Sequence, residues 1–319
     1  MGRSDMTYPS TTLASTTAKD RPVISRRNRR DWLAGYLFVL PDALGLLVFV
    51  GLPMLLALGI GFFEVDGFGS YKFVAFKNYA RMWHDPLFWS ALRVTVLYAV
   101  MLVPALYVSG LGLALLVQRG GRFATVIRAM FFAPQMVSLV VVALVWQILL
   151  VEKVGAIGRL AAAIGWGPVS FLGDPNLALI TLVAVSVWFM MGFYMLIFLG
   201  GLQDIPGEYY EAAKIDGAGP VTSFWYITLP LLRPTSFFVL LVSIVMAAAG
   251  GQVFDLIYVM TNGGPVNATA ALIVYIYKQA FQLGAFGYAS AMASLLVVML
   301  MLVTLLLFAL TRGGRFDHD

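Results

Sequence analysis

The sequence predicts an all-α membrane protein of six transmembrane helices with both termini in the cytoplasm. Three observations carry that prediction. Of 319 residues, 61% are hydrophobic and only 12% are Asp, Glu, Lys or Arg, with a mean hydropathy of +0.87. A soluble domain carries about 25% charged residues, so this chain cannot solvate its own surface. The uncharged stretches between charges reach span length, and Lys and Arg are unevenly shared between alternate loops.

The uncharged stretches 43–63, 94–118, 129–151, 175–203, 234–254 and 279–311 run to 21, 25, 23, 29, 21 and 33 residues. A helix crosses the hydrocarbon core in about 20. A seventh stretch, 256–277, holds Thr261, Asn262, Gly263, Gly264, Pro265, Asn267 and Thr269. Its polar groups and helix breakers would leave backbone unsatisfied in lipid, so a polar or partly re-entrant connection is expected there. Pro41, Pro53 and Pro104 fall within or near spans, where they predict kinks. Residues 1–31 read as a disordered tail and 317–319 as a short C-terminal tail, leaving 32–316 as the membrane domain.

Orientation follows from the loops. The N-tail, the second and fourth loops and the C-tail hold 14 of the 21 Lys and Arg; the other side holds 7. Both termini therefore belong inside. Arg26, Arg27, Arg29 and Arg30, just before Trp32, give the strongest single signal, set against anionic headgroups. A twin-arginine export signal fits poorly, because Asn28, Arg29, Arg30 and Asp31 follow the pair and the apolar segment is too long. On the outer side, Gly67–Arg93 mixes Lys72, Lys77 and Arg81 with Tyr71, Tyr79, Trp83, Phe88 and Trp89, as an amphipathic interfacial segment or an aromatic belt would.

Composition also removes whole classes of chemistry. Without cysteine there is no disulfide, thiolate metal site or cysteine nucleophile. His84 and His318 are too far apart in sequence to suggest a metal site or a triad, so neither catalytic nor metal-ligating residues are expected. The basic balance is that of membrane orientation, with lipids rather than nucleic acid as partner. No ionisable group interrupts the six uncharged stretches, which disfavours an ion-coupled carrier.

The loop 204–234, Asp-Ile-Pro-Gly-Glu-Tyr-Tyr-Glu-Ala-Ala-Lys-Ile-Asp-Gly-Ala-Gly-Pro-Val-Thr-Ser-Phe-Trp-Tyr-Ile-Thr-Leu-Pro-Leu-Leu-Arg-Pro, reads as two short helices. Pro206 fits a first turn, Glu208 and Glu211 favour the positive helix end, and Gly217 can take the left-handed conformation that stops a helix. Gly219-Pro220 starts a second helix and Pro230 ends it. Ala212 and Ala213 leave room for close approach of another protein surface. A plain surface hairpin with a Glu211–Lys214 pair is the alternative on these residues alone.

Glu211-Ala212-Ala213, Asp216-Gly217-Ala218, Phe224, Ile227 and Leu229-Pro230 resemble the EAA loop of permease subunits of binding-protein-dependent ABC importers. Phe73–Tyr79, Asp85–Trp89, Leu199–Pro206, and Gln252–Tyr258 followed by Thr261–Pro265 are similar to the carbohydrate-uptake branch, nearest the first permease of maltose, multiple-sugar and glycerol-3-phosphate systems. Gly250-Gly251 departs from relatives that carry larger side chains there.

The resemblance implies a type I importer fold in the bacterial cytoplasmic membrane. It implies coupling through Glu211, Ala212, Ala213, Asp216, Gly217 and Ala218 to two copies of a separate ATPase that bind ATP and Mg. It further implies a second homologous permease and an extracytoplasmic solute-binding lipoprotein. The chain needs no cofactor of its own and has no Gly-Lys dipeptide from which a P-loop could be built. Polar and aromatic side chains set among the spans, Trp146, Gln147, Trp188, Tyr194, Gln252, Asp255 and Tyr258, are candidate substrate contacts. Similar family members place binding side chains on the helices of Gln252 and Trp188. Other cargoes, a glycerophosphodiester among them, share such loops.

Overall fold

The computed structural model describes residues 26–65, 69–152, 154–165 and 169–311, with side chains from Trp32 onward. The tail before Arg26 and the segment after Thr311, including the expected boundary at 316, lie outside the described residues.

Helix α1 (Arg26–Leu46) passes through a π turn (Leu47–Gly51) into α2 (Leu52–Ile60). It begins within the stretch read as tail, and it carries Pro41 and Asp42 inside it rather than starting after them. One proline and one carboxylate near a helix end do not outweigh the apolar run that follows. The described residues up to Leu55 belong to one compact unit and those from Leu56 onward to a second.

In the second unit, the stretch 67–93, expected as an amphipathic segment or an aromatic belt, holds the second strand of a hairpin, a helix and the start of another. A two-stranded antiparallel hairpin, β1 (Phe63–Val65) with β2 (Tyr71–Phe73), leads into α3 (Lys77–Trp83) and then α4 (Pro86–Val117). The buried Asn78 amide donates to the carbonyls of Gly61 and Phe63, both at 2.9 Å, which ties the hairpin to α3.

Helices α4 and α8 (Pro175–Gln203) are the central pair. Both start on an Asp-Pro: Asp85 accepts from the Leu87 amide at 2.9 Å and Asp174 from the Asn176 amide at 2.8 Å, with proline in the first turn. Gly110 lets them close, since a Cβ there would sit 2.9 Å from the Tyr194 Cβ. The Tyr98 hydroxyl meets Ser186 Oγ at 2.5 Å, and Ser186 donates to the Leu182 carbonyl, so Tyr98 is the donor in a buried relay.

The third apolar stretch is not a straight helix. Helix α5 (Arg122–Phe132) runs through a 3-10 turn (Ala133–Met136) to α6 (Leu139–Leu149) with a bend of 98°. Pro134 removes a backbone donor at the corner. Gly192 of α8 receives it, because any side chain there would overlap the Phe131 carbonyl. Gln135 pins the corner by donating to the Phe189 carbonyl at 2.9 Å. A short α7 (Ala156–Ala163) precedes α8.

After α9 (Gly207–Ile215) come α10 (Pro220–Ser223), a π turn (Phe224–Thr228) and α11 (Leu229–Leu231), bent by 66° against α12 (Arg233–Ala249). The break falls at Leu232, not at the expected Pro230, since the ring of Pro234 bars the hydrogen bond that would carry the helix past it. The fifth span ends at Ala249 rather than 254: Gly250 is extended (φ −68, ψ 136) and α13 (Gly251–Met260) begins anew.

The polar stretch folds into a loop, 261–271, with Asn262, Gly263, Val266 and Asn267 at positive φ, followed by α14 (Leu272–Tyr277) and a π turn (Lys278–Gln282). The last helix, α15 (Phe286–Leu310), therefore starts seven residues later than the charge-free stretch at 279. Four helices are long and apolar enough to cross a membrane, and the two bent pairs bring the number to as many as six among the described residues.

Candidate functional site

Two regions hold the sequence-predicted residues. The first is the hairpin of α9 and α10. Helix α9 carries Glu208 in its first turn and Lys214 in its last, which suits the helix dipole. It starts at Gly207, one residue after Pro206, and it stops as the sequence requires. Gly217 has φ +81, its amide donates to the Lys214 carbonyl at 3.1 Å, and the Ala218 amide donates to the Ala213 carbonyl at 2.8 Å. These two bonds are a Schellman motif. Glu211 and Lys214 form no ion pair; among the described residues the pair that forms is Lys77–Glu64.

The Tyr210 hydroxyl lies 3.0 Å from Thr228 Oγ1 and joins the two arms. Glu211, Ala212, Asp216 and Gly217 are exposed, and Ala213 and Ala218 half-buried. Beside them stand Ile215 (87% exposed), Val221, Trp225 and Tyr226 (79% exposed), apolar side chains left uncovered by the described residues. At the foot of the hairpin the Tyr107 hydroxyl of α4 meets Ser236 Oγ of α12 at 2.8 Å, and its ring packs edge-on against Phe198 of α8.

The second region lies among α6, α8 and α13. Trp146 and Trp188 meet edge to face with centroids 5.3 Å apart, and Gln147 Nε2 donates to the Met260 carbonyl at 3.3 Å. Gln252 lines a narrow crevice with Ser186, Phe189 and Met190. Asp255 and Tyr258 lie on the other side of α13, opposite the buried Val253, Leu256, Ile257 and Met260. Tyr194 does not join them. Its side chain is fully buried, with its Cβ against Gly110, and its hydroxyl has no hydrogen-bond partner among the described residues, which makes it a packing residue in this conformation.

Sequence reasoning passed over two features. Ser186 was hidden because a serine in a span carries no signal until Tyr98 and Gln252 are seen beside it. Asp85 was quoted only as part of a motif, yet its Oδ2 accepts from the hydroxyls of Tyr275 (2.7 Å) and Tyr288 (2.6 Å), joining α4 to α14 and α15. Gln279 Nε2 donates to the Tyr275 hydroxyl at 3.0 Å, and the Arg81 guanidinium sits 4.2 Å over the Tyr288 ring. Burial pushes the Asp85 carboxyl up. The Tyr288 and Tyr275 hydroxyls and the Leu87 and Phe88 amides outweigh it, so the group lies below its ordinary value.

Residues 107–313 match the family described as binding-protein-dependent transport system inner membrane component, a stretch that includes the hairpin and both bent helix pairs. The chain belongs to this family. Members are permease subunits of ABC transporters and are not themselves enzymes. The permease is 34% identical over 286 residues to the probable ABC transporter permease protein YurN of Bacillus subtilis (88% of this chain, 96% of that one). It is 33% identical to the trehalose/maltose transport system permease protein MalF of Thermococcus litoralis (94% and 100%). Its fold is that of a bacterial alginate ABC transporter crystallised with an alginate pentasaccharide-bound periplasmic protein, with a TM-score of 0.78 at 22% identity over 90% of this chain and 96% of that one.

Proposed function

We propose that this permease forms half of the translocation pathway of an ATP-driven sugar importer in the bacterial cytoplasmic membrane. It crosses the membrane six times with both termini inside, beside a second homologous permease. An extracytoplasmic solute-binding protein delivers the sugar to the outer ends of the spans. Two ATPase subunits bind ATP and Mg, and the hairpin carrying Glu211, Ala212, Ala213, Asp216, Gly217 and Ala218 docks onto one of them.

The observation that carries the reading is the hairpin. It is capped at Gly217, exposes Ile215, Val221, Trp225 and Tyr226, is tied across its arms by Tyr210–Thr228, and continues into α12, which Tyr107–Ser236 bonds to α4. Closure of the ATPase dimer would move α9 as a rigid piece, and α12, hinged at Leu232, would transmit the motion. Sugar as cargo is supported by the trehalose/maltose relative and by the lactose transport system permease protein LacF of Rhizobium radiobacter, 32% identical over 287 residues (88% of this chain, 95% of that one). Trp146, Trp188 and Gln252, with Ser186 added to them, supply ring faces, an amide and a hydroxyl suited to a sugar.

The test is uptake by the complete transporter in proteoliposomes. Uptake of one member of a sugar panel should require enclosed ATP and persist with a protonophore; collapse with the protonophore in the presence of ATP would overturn the importer reading. Trp188→Ala and Gln252→Ala should each reduce sugar carried per ATP, and unchanged ratios would remove both residues from the path.

A further inference from the structure

Five aromatic rings form a continuous row from α13 to α15. Phe254 and Tyr258 stack with centroids 5.3 Å apart and planes at 17°. Tyr277 meets them at 4.9 and 5.2 Å, Phe281 meets Tyr277 at 5.1 Å, and Phe286 meets Phe281 at 6.0 Å. Two i, i+4 pairs, Phe254/Tyr258 and Tyr277/Phe281, put the rings on facing sides of their helices. The row is not core: Phe281 is 69% exposed and the other four are partly open.

Polar groups border it. Gln282 Nε2 lies 3.4 Å from the Tyr258 hydroxyl, and Lys278 Nζ donates to the Asn262 carbonyl at 2.7 Å, leaving donors to spare. Asp255 shares the open side of α13 with Phe254 and Tyr258 and has no ion-pair partner among the described residues. A carboxylate in that place argues against a lipid-facing surface, because an unpaired charge in hydrocarbon costs several kcal/mol. The side is thus apolar in its rings, polar at its edge, and turned toward water or protein.

We propose that this row is a stacking surface for pyranose rings, over which sugar passes between the solute-binding protein and the crevice of Gln252 and Ser186. The proposal rests on the sugar-import reading. A pyranose presents an apolar C–H face and a rim of hydroxyls. The rings of Tyr277 and Phe281 take the face, while Gln282, Lys278 and Asp255 reach the hydroxyls. Because the rings are continuous, a sugar moves along them without losing contact.

The experiment uses the complete transporter in proteoliposomes with sugar-loaded binding protein, read as sugar carried per ATP hydrolysed. Aromatic contacts of this kind are worth about 0.5–1.5 kcal/mol, so Phe281→Leu and Tyr277→Leu should each lower the ratio by roughly threefold to tenfold. Stimulation of the ATPase by loaded binding protein should persist, and Phe281→Trp should restore the ratio. Unchanged ratios in the leucine variants, with sugar import by the unaltered transporter, overturn the row alone. Loss of subunit assembly in both variants, or failure of Phe281→Trp to restore transport, overturns it in favour of a contact between subunits. An unaltered transporter that imports no sugar overturns the import reading and the row with it.

Discussion

The segments 204–232 and 250–286 are both chains of short helices and glycine-containing turns between longer helices, yet they are held in opposite ways. In the first, the hydrogen bonds among the described residues are local, although Leu232, Ile205 and Phe224 pack against the core. Ala218 returns to Ala213, Gly217 to Lys214, and Tyr210 to Thr228 only 18 residues away. In the second, the fixing groups come from far along the chain. Thr95 Oγ1 accepts from the Leu272 amide at 2.7 Å across 177 residues, capping α14 from within α4, and Asp85 holds Tyr275 and Tyr288 across 190 and 203 residues. A locally determined piece keeps its shape when its surroundings shift, as a lever must. A piece held by distant helices changes when they move, which suits a path that opens and closes.

Substitutions can break each side of this contrast. The largest effect is expected at Gly217. Valine at φ +81 costs at least ~1–2 kcal/mol of backbone strain and unravels the turn. Uptake should fall by about tenfold or more while membrane insertion and the outer segment are unaffected. Normal uptake, or an unaltered ratio of sugar to ATP in a stable assembly, would contradict the lever.

Asp85→Ala should come next and act on the other segment, lowering thermal stability by about 2 kcal/mol after allowance for solvent at a partly open carboxylate. Its pH signature separates it from a simple packing defect. The folded group titrates below its ordinary value, so its stabilisation is present above about pH 3.9 and is lost as pH falls below that toward the lowered folded value. Thermal melts of Asp85→Asn should lack this acid-side decline; an identical decline would place it in another carboxylate.

Thr95→Val keeps the side-chain shape and orphans the Leu272 amide, a loss of about 1–3 kcal/mol. Faster amide exchange at the start of α14, with α9 unchanged, is the expected record. The smallest effect is Tyr210→Phe, about 0.5–1.5 kcal/mol, read as looser α9 in exchange measurements with stability of α14 untouched. Coupled changes in both segments from either substitution would refute their independence.

Legibility in the sequence follows the same division. The end of α9 at Gly217 and the start of α10 at Pro220 were readable because a left-handed glycine and a proline act within one turn of themselves. The charge-free stretches fall on the long apolar helices and the bent pairs, but their ends at Asp42, Arg93, Asp255 and Lys278 are not the helix ends. A lone charge does not stop a helix whose other hydrogen bonds are made, so α1 and α4 run through Asp42 and Arg93, whereas Gly250 ends α12 before Asp255 and the turn after Lys278 delays α15. The 98° corner of α5 and α6 needed Gly192 on a distant helix to receive it, and nothing around Pro134 announces that partner. Of the candidate substrate residues, Trp146 and Trp188 meet, while Tyr194, as polar and as aromatic, is spent on packing against Gly110.

By itself the sequence determined an apolar helical chain of transmembrane length, without cysteine and with a glycine-stopped hairpin between its fourth and fifth apolar stretches, because hydropathy, charge and backbone preference act over one or two turns. Only the tertiary structure decided which polar groups meet. Asp85 with its two tyrosines, Tyr98 with Ser186, and the five rings from Phe254 to Phe286 are each set by how distant helices pack, and contact between residues tens to hundreds of positions apart leaves no local pattern to read.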